Sequence, residues 1–487
     1  MTITDLQPKL VWESFHSLTQ IPRPSGHTEA VAAFLVKFAK EHGAKAKIDP
    51  AGNVYMQVPA TKGYENRQMV ILQAHMDMVP QKAEDSSHDF EKDPIQTVVD
   101  GDWIKANKTT LGADDGMGIA TAMAIIADKN AKHGPLEVLI TRDEETGMYG
   151  ANELPAKQLK GNLLLNLDSE TEGEITIGCA GGMDISATMK YKLADIDIED
   201  AVAFKLSING LLGGHSGLEI NESRGNANKL MARVLFAVVN TINAQLCSWH
   251  GGNMRNAIPR TGNATLIVPA SKVRSFKRLV TKCEKTFNAE LKDIEKEPIV
   301  LTVEKTRMPR KAIPEPIQMN LINAVMVAHD GVLRFIPTIP DIVETSVNLS
   351  IINIEKGKAE ICMLARSATN SMKQFLCNEL IACFSMAGMK VRLSGGYSGW
   401  QPNTGSALVA LMSETYKKMF NEEPKVLVVH AGLECGIIGP KYPDMDMASI
   451  GPTLRSPHTP NERCYIPSVE KFYKYVLELL KNIPDNK

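Results

Sequence analysis

Three nearly unbroken apolar runs in the first part of the chain, at residues 69–74, 136–140 and 163–167, are each followed by acid or imidazole side chains. Apolar residues without alternation mark strands buried on both faces, so the runs predict the centre of a mixed or parallel sheet. Ahead of them, residues 9–19 and 28–42 follow the helical period. Ala30, Val31, Phe34, Leu35 and Phe38 share one face of the second helix, and Gly43 closes it. Residues 45–48 and 53–58 predict a hairpin across the turn Asp49-Pro50-Ala51-Gly52. The stretch 119–127 reads as a buried helix. Directly before it lies the glycine-rich turn Leu111-Gly112-Ala113-Asp114-Asp115-Gly116-Met117-Gly118.

Between residues 180 and 200 the texture changes. Alternating strands at 204–208 and 263–268 are interleaved with amphipathic helices at 225–245 and 272–292. A second set follows, with strands near 343–352 and 358–365, a helix near 370–387 and a strand at 390–393. The order of elements predicts an inserted α+β domain over 186–392 made of two similar halves, without a residue-level repeat. The first texture then returns: a helix at 405–419, a strand at 425–429, the loop His430-Ala431-Gly432-Leu433-Glu434-Cys435-Gly436 and a strand at 446–450. A proline-rich loop carries His458, and a helix over 469–480 is expected to be capped by Ser468. The reading is an α/β fold: a mixed-sheet α/β/α domain in two parts, 1–185 and 393–487, around the insert.

Length and composition are compatible with this division. A chain of 487 residues exceeds one ordinary domain, and 44% hydrophobic with 23% charged residues is a globular balance. The net charge of −2 gives no footprint for nucleic acid, and no apolar run approaches a membrane span. The first residues lack the basic start and apolar core of a signal peptide, and the eight cysteines include no Cys-x-x-Cys pair. Together these features predict a cytoplasmic protein with reduced thiols and no nucleic-acid or membrane partner.

Candidate chemistry gathers where the apolar runs stop. His75 and Asp77 follow the first strand, and residues two apart in extended chain project to one side. Glu144 and Glu145 follow the second; on an extended segment they would point opposite ways and do different jobs. Asp168 follows the third, where a carboxylate after leucines calls for a partner charge. Each feature also has a plain structural reading: a loop histidine beside a capping Asp, or an Asp-rich helix cap at 114–115. Their recurrence at one sheet edge, where open α/β sheets hold ligands, favours a metal centre. If Asp114 turns both carboxylate oxygens onto two ions within this tight Gly-flanked turn, the peptide bond between Asp114 and Asp115 is expected to be cis.

In this order, the motifs His-x-Asp, Asp-Asp-Gly, Glu-Glu, a lone Asp and a late His resemble the glutamate carboxypeptidase, aminoacylase and dipeptidase superfamily of two-zinc hydrolases. Within it they are most similar to the aminoacylhistidine (Xaa-His) dipeptidase group. The resemblance covers essentially the whole chain and implies a metallohydrolase domain with a doubled lid. It makes His75 and Asp168 ligands of one zinc, Glu145 and His458 ligands of the other, and Asp114 the bridge. Asp77 would orient His75, and Glu144 would be the general base. The insert would contribute His215, from Gly213-Gly214-His215-Ser216-Gly217, with Asn256 and Arg366 as substrate contacts, and Gly432 would offer backbone contacts. Relatives often carry Asp where Glu434 stands, so the role of that acid stays open.

The implied activity is hydrolysis of dipeptides of the Xaa-His type, with carnosine-like substrates, by a homodimer holding two Zn²⁺. A water between two cations about 3.5–4 Å apart has its pKa lowered toward about 7. Glu144 would take its proton as it attacks the peptide carbonyl. Oxygen and nitrogen ligands without thiolate also suit Mn²⁺ or Co²⁺. Two other readings share these residues: an N-acyl amino acid amidohydrolase, and a non-catalytic homologue. The size of the insert argues against the first, and the presence of all five ligand positions with Glu144 argues against the second.

Overall fold

The computed structural model describes residues 2–486, apart from positions 197 and 199. The chain forms two compact units. The first comprises Met1–Gly178, Trp400–Val428 and Leu433–Lys487; the second comprises Cys179–Gly399 and Val429–Gly432.

The first unit is built on an eight-stranded mixed sheet. Its strand order is Lys45–Ile48, Val54–Val58, Leu136–Thr141, Val70–His75, Leu163–Asn166, Asp446–Ser449, Glu174–Cys179, Lys425–Val429. The three apolar runs are central and parallel, and the returning strand Asp446–Ser449 joins them in parallel. All residues of Val70–His75 and Leu136–Thr141 are buried, which explains why neither run alternates.

Helix Ala113–Ala127 packs against strand Val70–His75 and is buried almost all round, as its Ala, Ile and Met content requires. It is interrupted at Asp114 and Asp115, whose backbones leave helical geometry. The peptide bond between them is cis, as expected. Gly112 enters this turn at φ 70°, and a Cβ there would meet the Arg23 guanidinium at 2.7 Å.

Two local expectations change. The segment after Leu136–Thr141 is not extended: Glu144–Gly147 form one helical turn entered through Asp143 at φ 53°. The last helix spans Ile466–Asn482, starting ahead of Ser468, because Pro467 suits a first helical turn. Ser468 instead donates its hydroxyl to the Tyr465 carbonyl and accepts the Thr453 N–H.

The second unit carries a largely antiparallel sheet in the order Val300–Lys305, Ala201–Asn209, Gly262–Pro269, Gln245–Gly251, Val343–Glu355, Lys358–Ser367, Gly181–Lys190, Lys390–Ser394. Strand Gly331–Phe335 pairs beside Val343–Glu355. In chain order, helices Ala227–Ile242 and Val273–Glu290 fall among the first four strands of that list, and Glu315–Val327 and Asn370–Met386 come after them. The two sets meet where Gln245–Gly251 pairs with Val343–Glu355. Phe204, Trp249, Phe276, Leu321 and Phe384 sit in one continuous core across both. Among the described residues, no helix is long and apolar enough to cross a membrane.

Candidate metal centre

Neighbouring parallel strands deliver their ends to one edge of the first sheet, so side chains distant in sequence meet without any local motif. His75 is the last residue of its strand, and Asp168 lies two residues beyond Leu163–Asn166. Asp114 comes from the kink before the buried helix. Glu145 comes from the helical turn, and His458 from the proline-flanked loop, where its backbone is left-handed at φ 59°.

These five side chains converge in two sets that share Asp114. In one, His75 Nε2 lies 3.0 Å from Asp114 Oδ1 and 3.5 Å from Asp168 Oδ1. In the other, His458 Nε2 lies 3.0 Å from both Asp114 Oδ2 and Glu145 Oε2. Asp114 therefore turns one oxygen to each imidazole. Glu144 also falls into a set with His75 and Glu145, because the helical turn brings both glutamates to the same side.

The electrostatics of this cluster call for cations. Burial pushes the His75 imidazole down, but Asp168, Asp114 and Asp77 outweigh it and hold it well above its usual value. Asp114 and Glu145 lift His458 to about 11. Burial pushes Asp168 up to about 7 and Glu144 well above the ordinary carboxylate range. Glu145 Oε1 is buried without a hydrogen-bond partner among the described residues. Crowded carboxylates with an orphaned oxygen are costly unless a positive ion neutralises them, so the donor set fits divalent cations. Two imidazoles and three carboxylates without thiolate suit Zn²⁺, Mn²⁺ or Co²⁺.

Behind these five side chains lies a buried polar layer. Asp77 Oδ1 sits 3.4 Å from His75 Nδ1, and the Asp77 carboxylate accepts the Ser25 hydroxyl at 2.7 Å and the Glu144 and Glu145 N–H groups at 2.9 and 3.3 Å. The Asp115 carboxylate accepts the backbone N–H groups of His75 and Gly118 at 3.2 and 3.1 Å. One layer further down, Glu434 Oε2 accepts Gln73 Nε2 at 2.6 Å and the Thr141 hydroxyl at 2.5 Å. Gln73 Oε1 accepts Asn166 Nδ2 at 2.6 Å, and Asn166 Oδ1 accepts the Ser449 hydroxyl. This rung crosses four adjacent strands beneath the centre. Burial pushes Glu434 up to about 8. The sequence leaves Glu434 open and does not single out Arg23, because a buried polar group whose partners lie far along the chain has no local signature.

The remaining candidates lie in the second unit. His215 Nδ1 accepts the Gly217 and Leu218 N–H groups at 3.2 and 3.1 Å, and the Asn256 carbonyl accepts the Ser216 N–H at 2.8 Å. The Asn256 side chain is exposed, and Gly432 is half-buried. Arg366 is buried; its Nη1 donates to the Tyr397 hydroxyl at 3.4 Å, while its Nε has no partner among the described residues. Ser346 lies opposite Arg366 in the strand pair and contacts His430 Nε2 at 2.7 Å. Burial, reinforced by Arg366, pushes His430 down to about 3 and His215 below its usual value. His430 was not singled out in the sequence, although it opens the glycine loop that contains Gly432.

Comparison with known proteins bears on this arrangement directly. The chain is 43% identical over 486 residues to the cytosol non-specific dipeptidase of Escherichia coli (strain K12), covering 99% of each. Its fold matches the crystal structure of the aminoacylhistidine dipeptidase from Vibrio alginolyticus with a TM-score of 0.93 and 41% identity, covering 100% of this chain and 99% of that one. The aminopeptidase PepT structure from Bacillus cereus shares the fold alone, with a TM-score of 0.58 at 16% identity, over 98% of this chain and 99% of that one. Residues 71–482, from the first ligand strand to the last helix, match a single family, and the chain belongs to peptidase family M20/M25/M40.

Proposed function

We propose that the protein is a metal-dependent dipeptidase that cleaves Xaa-His dipeptides, carnosine-like ones included, at the centre formed by His75, Asp114, Glu145, Asp168 and His458. The observation that carries the reading is the division of the Asp114 carboxylate between two ligand sets, in a chain 43% identical end to end to a dipeptidase. His75, Asp114 and Asp168 would hold one ion and Asp114, Glu145 and His458 the other. Bound there, two divalent cations supply Lewis acidity and bring a water's pKa toward about 7.

The chain's own groups do the rest. Glu144 takes the proton of the attacking water and returns it to the leaving amine. Asp77 holds the His75 ring and the backbone of Glu144 in place. Because His215 Nδ1 accepts two backbone N–H groups, its proton sits on Nε2, where it is free to donate to an oxyanion. Arg366, buried with Nε unpaired, suits the free α-carboxylate of a dipeptide through its fork. Asn256 would add amide contacts and Gly432 backbone contacts, with the insert 186–392 acting as a lid domain.

Zn²⁺ is proposed as the native ion, with Co²⁺ or Mn²⁺ able to substitute; the nitrogen and oxygen donors support this. A cytoplasmic location is supported by the name of the Escherichia coli relative, and a homodimer by the motif resemblance alone. Metal analysis with a substrate panel tests the whole reading. Two equivalents of zinc and turnover of Xaa-His dipeptides above N-acyl amino acids are expected. A fully metallated protein that prefers N-acyl amino acids, or cleaves neither class, would overturn it.

A further inference from the structure

Glu462 follows His458 by four positions and is almost completely buried. Its Oε2 accepts the backbone N–H groups of Leu111 and Gly112 at 2.7 and 3.0 Å; its Oε1 accepts those of Ala113 and Asp114 at 2.7 and 3.3 Å. One carboxylate thus receives every N–H of the turn that ends in Asp114. From the other side the buried Arg23 guanidinium donates to the Gly112 carbonyl, and to those of Met76 and Asp77 at 2.9 and 3.1 Å.

The chain around Glu462 is held equally firmly. Its N–H donates to the Thr459 carbonyl at 3.0 Å, and the Thr459 hydroxyl donates to Ser456 at 2.8 Å. Strand Arg463–Tyr465, which starts at the next residue, pairs with Trp103–Ala106. Between these anchors Ser456 and His458 are left-handed, at φ 55° and 59°, a conformation that non-glycine residues keep only where their surroundings impose it.

We propose that Glu462 is a positioning residue that fixes Asp114 and His458 relative to one another, and so sets the ligand set they share with Glu145. This rests on the ligand roles proposed above. A carboxylate is the side chain the geometry needs: four donors require two acceptor oxygens, whereas the amide of glutamine would aim its own N–H₂ at two of them. Loss of a group that orients ligands typically costs 10- to 100-fold in metal affinity.

The test is chelator competition followed by metal analysis on wild type, E462Q and E137Q. Glu137 is another buried carboxylate of this unit; it accepts the N–H groups of Lys160 and Gly161, in a different part of the unit. Wild type should hold two ions. E462Q should keep one and bind the other 10- to 100-fold more weakly, with a matching fall in kcat and little change in KM, whereas E137Q should hold both as wild type does. If E462Q is insoluble, E462D is read in its place. It keeps both oxygens one methylene short, and the same ion should loosen by a smaller factor. Two ions held at wild-type affinity in the Glu462 variant overturn the proposal, as does equal loosening in E137Q. A wild-type chain that never binds a second ion refutes the ligand assignment instead, which separates the two failures.

Discussion

Glu144 donates its backbone N–H to Asp77 Oδ1 at 2.9 Å, and the same oxygen lies 3.4 Å from His75 Nδ1. The carboxylate proposed to orient a ligand therefore also anchors the turn that carries the proposed base. Asp77→Asn is expected to weaken metal binding and lower kcat together, each by roughly 10- to 100-fold. Isothermal titration with Zn²⁺ alongside steady-state kinetics checks this. Normal affinity with reduced kcat would mean that Asp77 acts on Glu144 alone.

Glu144 and Glu145 share one helical turn near His75, so geometry by itself permits either as a ligand. The proposed division of labour is separable by substitution. Glu144→Gln should reduce kcat by about 10²- to 10⁴-fold while the protein keeps both ions, whereas Asp114→Ala should lose metal as well. Metal content measured beside single-turnover rates decides it; a Glu144 variant that loses an ion would reassign that residue to the ligands.

Arg366 has a buried guanidinium whose Nε finds no partner among the described residues. Arg366→Met is expected to lower kcat/KM for a free dipeptide by roughly 10- to 100-fold, the scale of a lost hydrogen bond to a charged group. The same variant should barely change hydrolysis of the dipeptide amide, which has no carboxylate to lose. Equal losses on both substrates would remove Arg366 from carboxylate recognition.

Glu434 is expected to cost the metal-free protein stability as the pH rises toward 8. Burial raises its folded value to about 8 from the ordinary 4.5, so the folded state holds the proton more tightly than the unfolded state does. Stability from this group is complete below pH 4.5 and drains away as the pH rises through 8, at a limiting slope on the order of 1 kcal/mol per pH unit. Urea unfolding of chelated protein between pH 5 and 8 should show that decline, and Glu434→Gln should flatten it. An unchanged slope in the variant would assign the pH dependence to another group.

Much of this molecule was legible from local pattern. The runs at 69–74, 136–140 and 163–167 became adjacent parallel strands, because unbroken apolar sequence has no stable place except between two covered faces. The side chains at their ends, with Asp114 and His458, converge on one edge of that sheet. Local pattern failed where the backbone turned: Glu144 and Glu145 alternate only on extended chain, and the left-handed Asp143 starts a helix there instead. It failed wholly for Glu462 and Arg23, and left the role of Glu434 open. An acid in a polar loop reads as solvated, and nothing near Glu462 in sequence announces that its acceptors will meet the N–H groups of a turn about 350 residues away. Apolar periodicity records which faces must leave water; which buried polar groups satisfy one another is decided only when distant segments close together, and that pairing belongs to the tertiary structure.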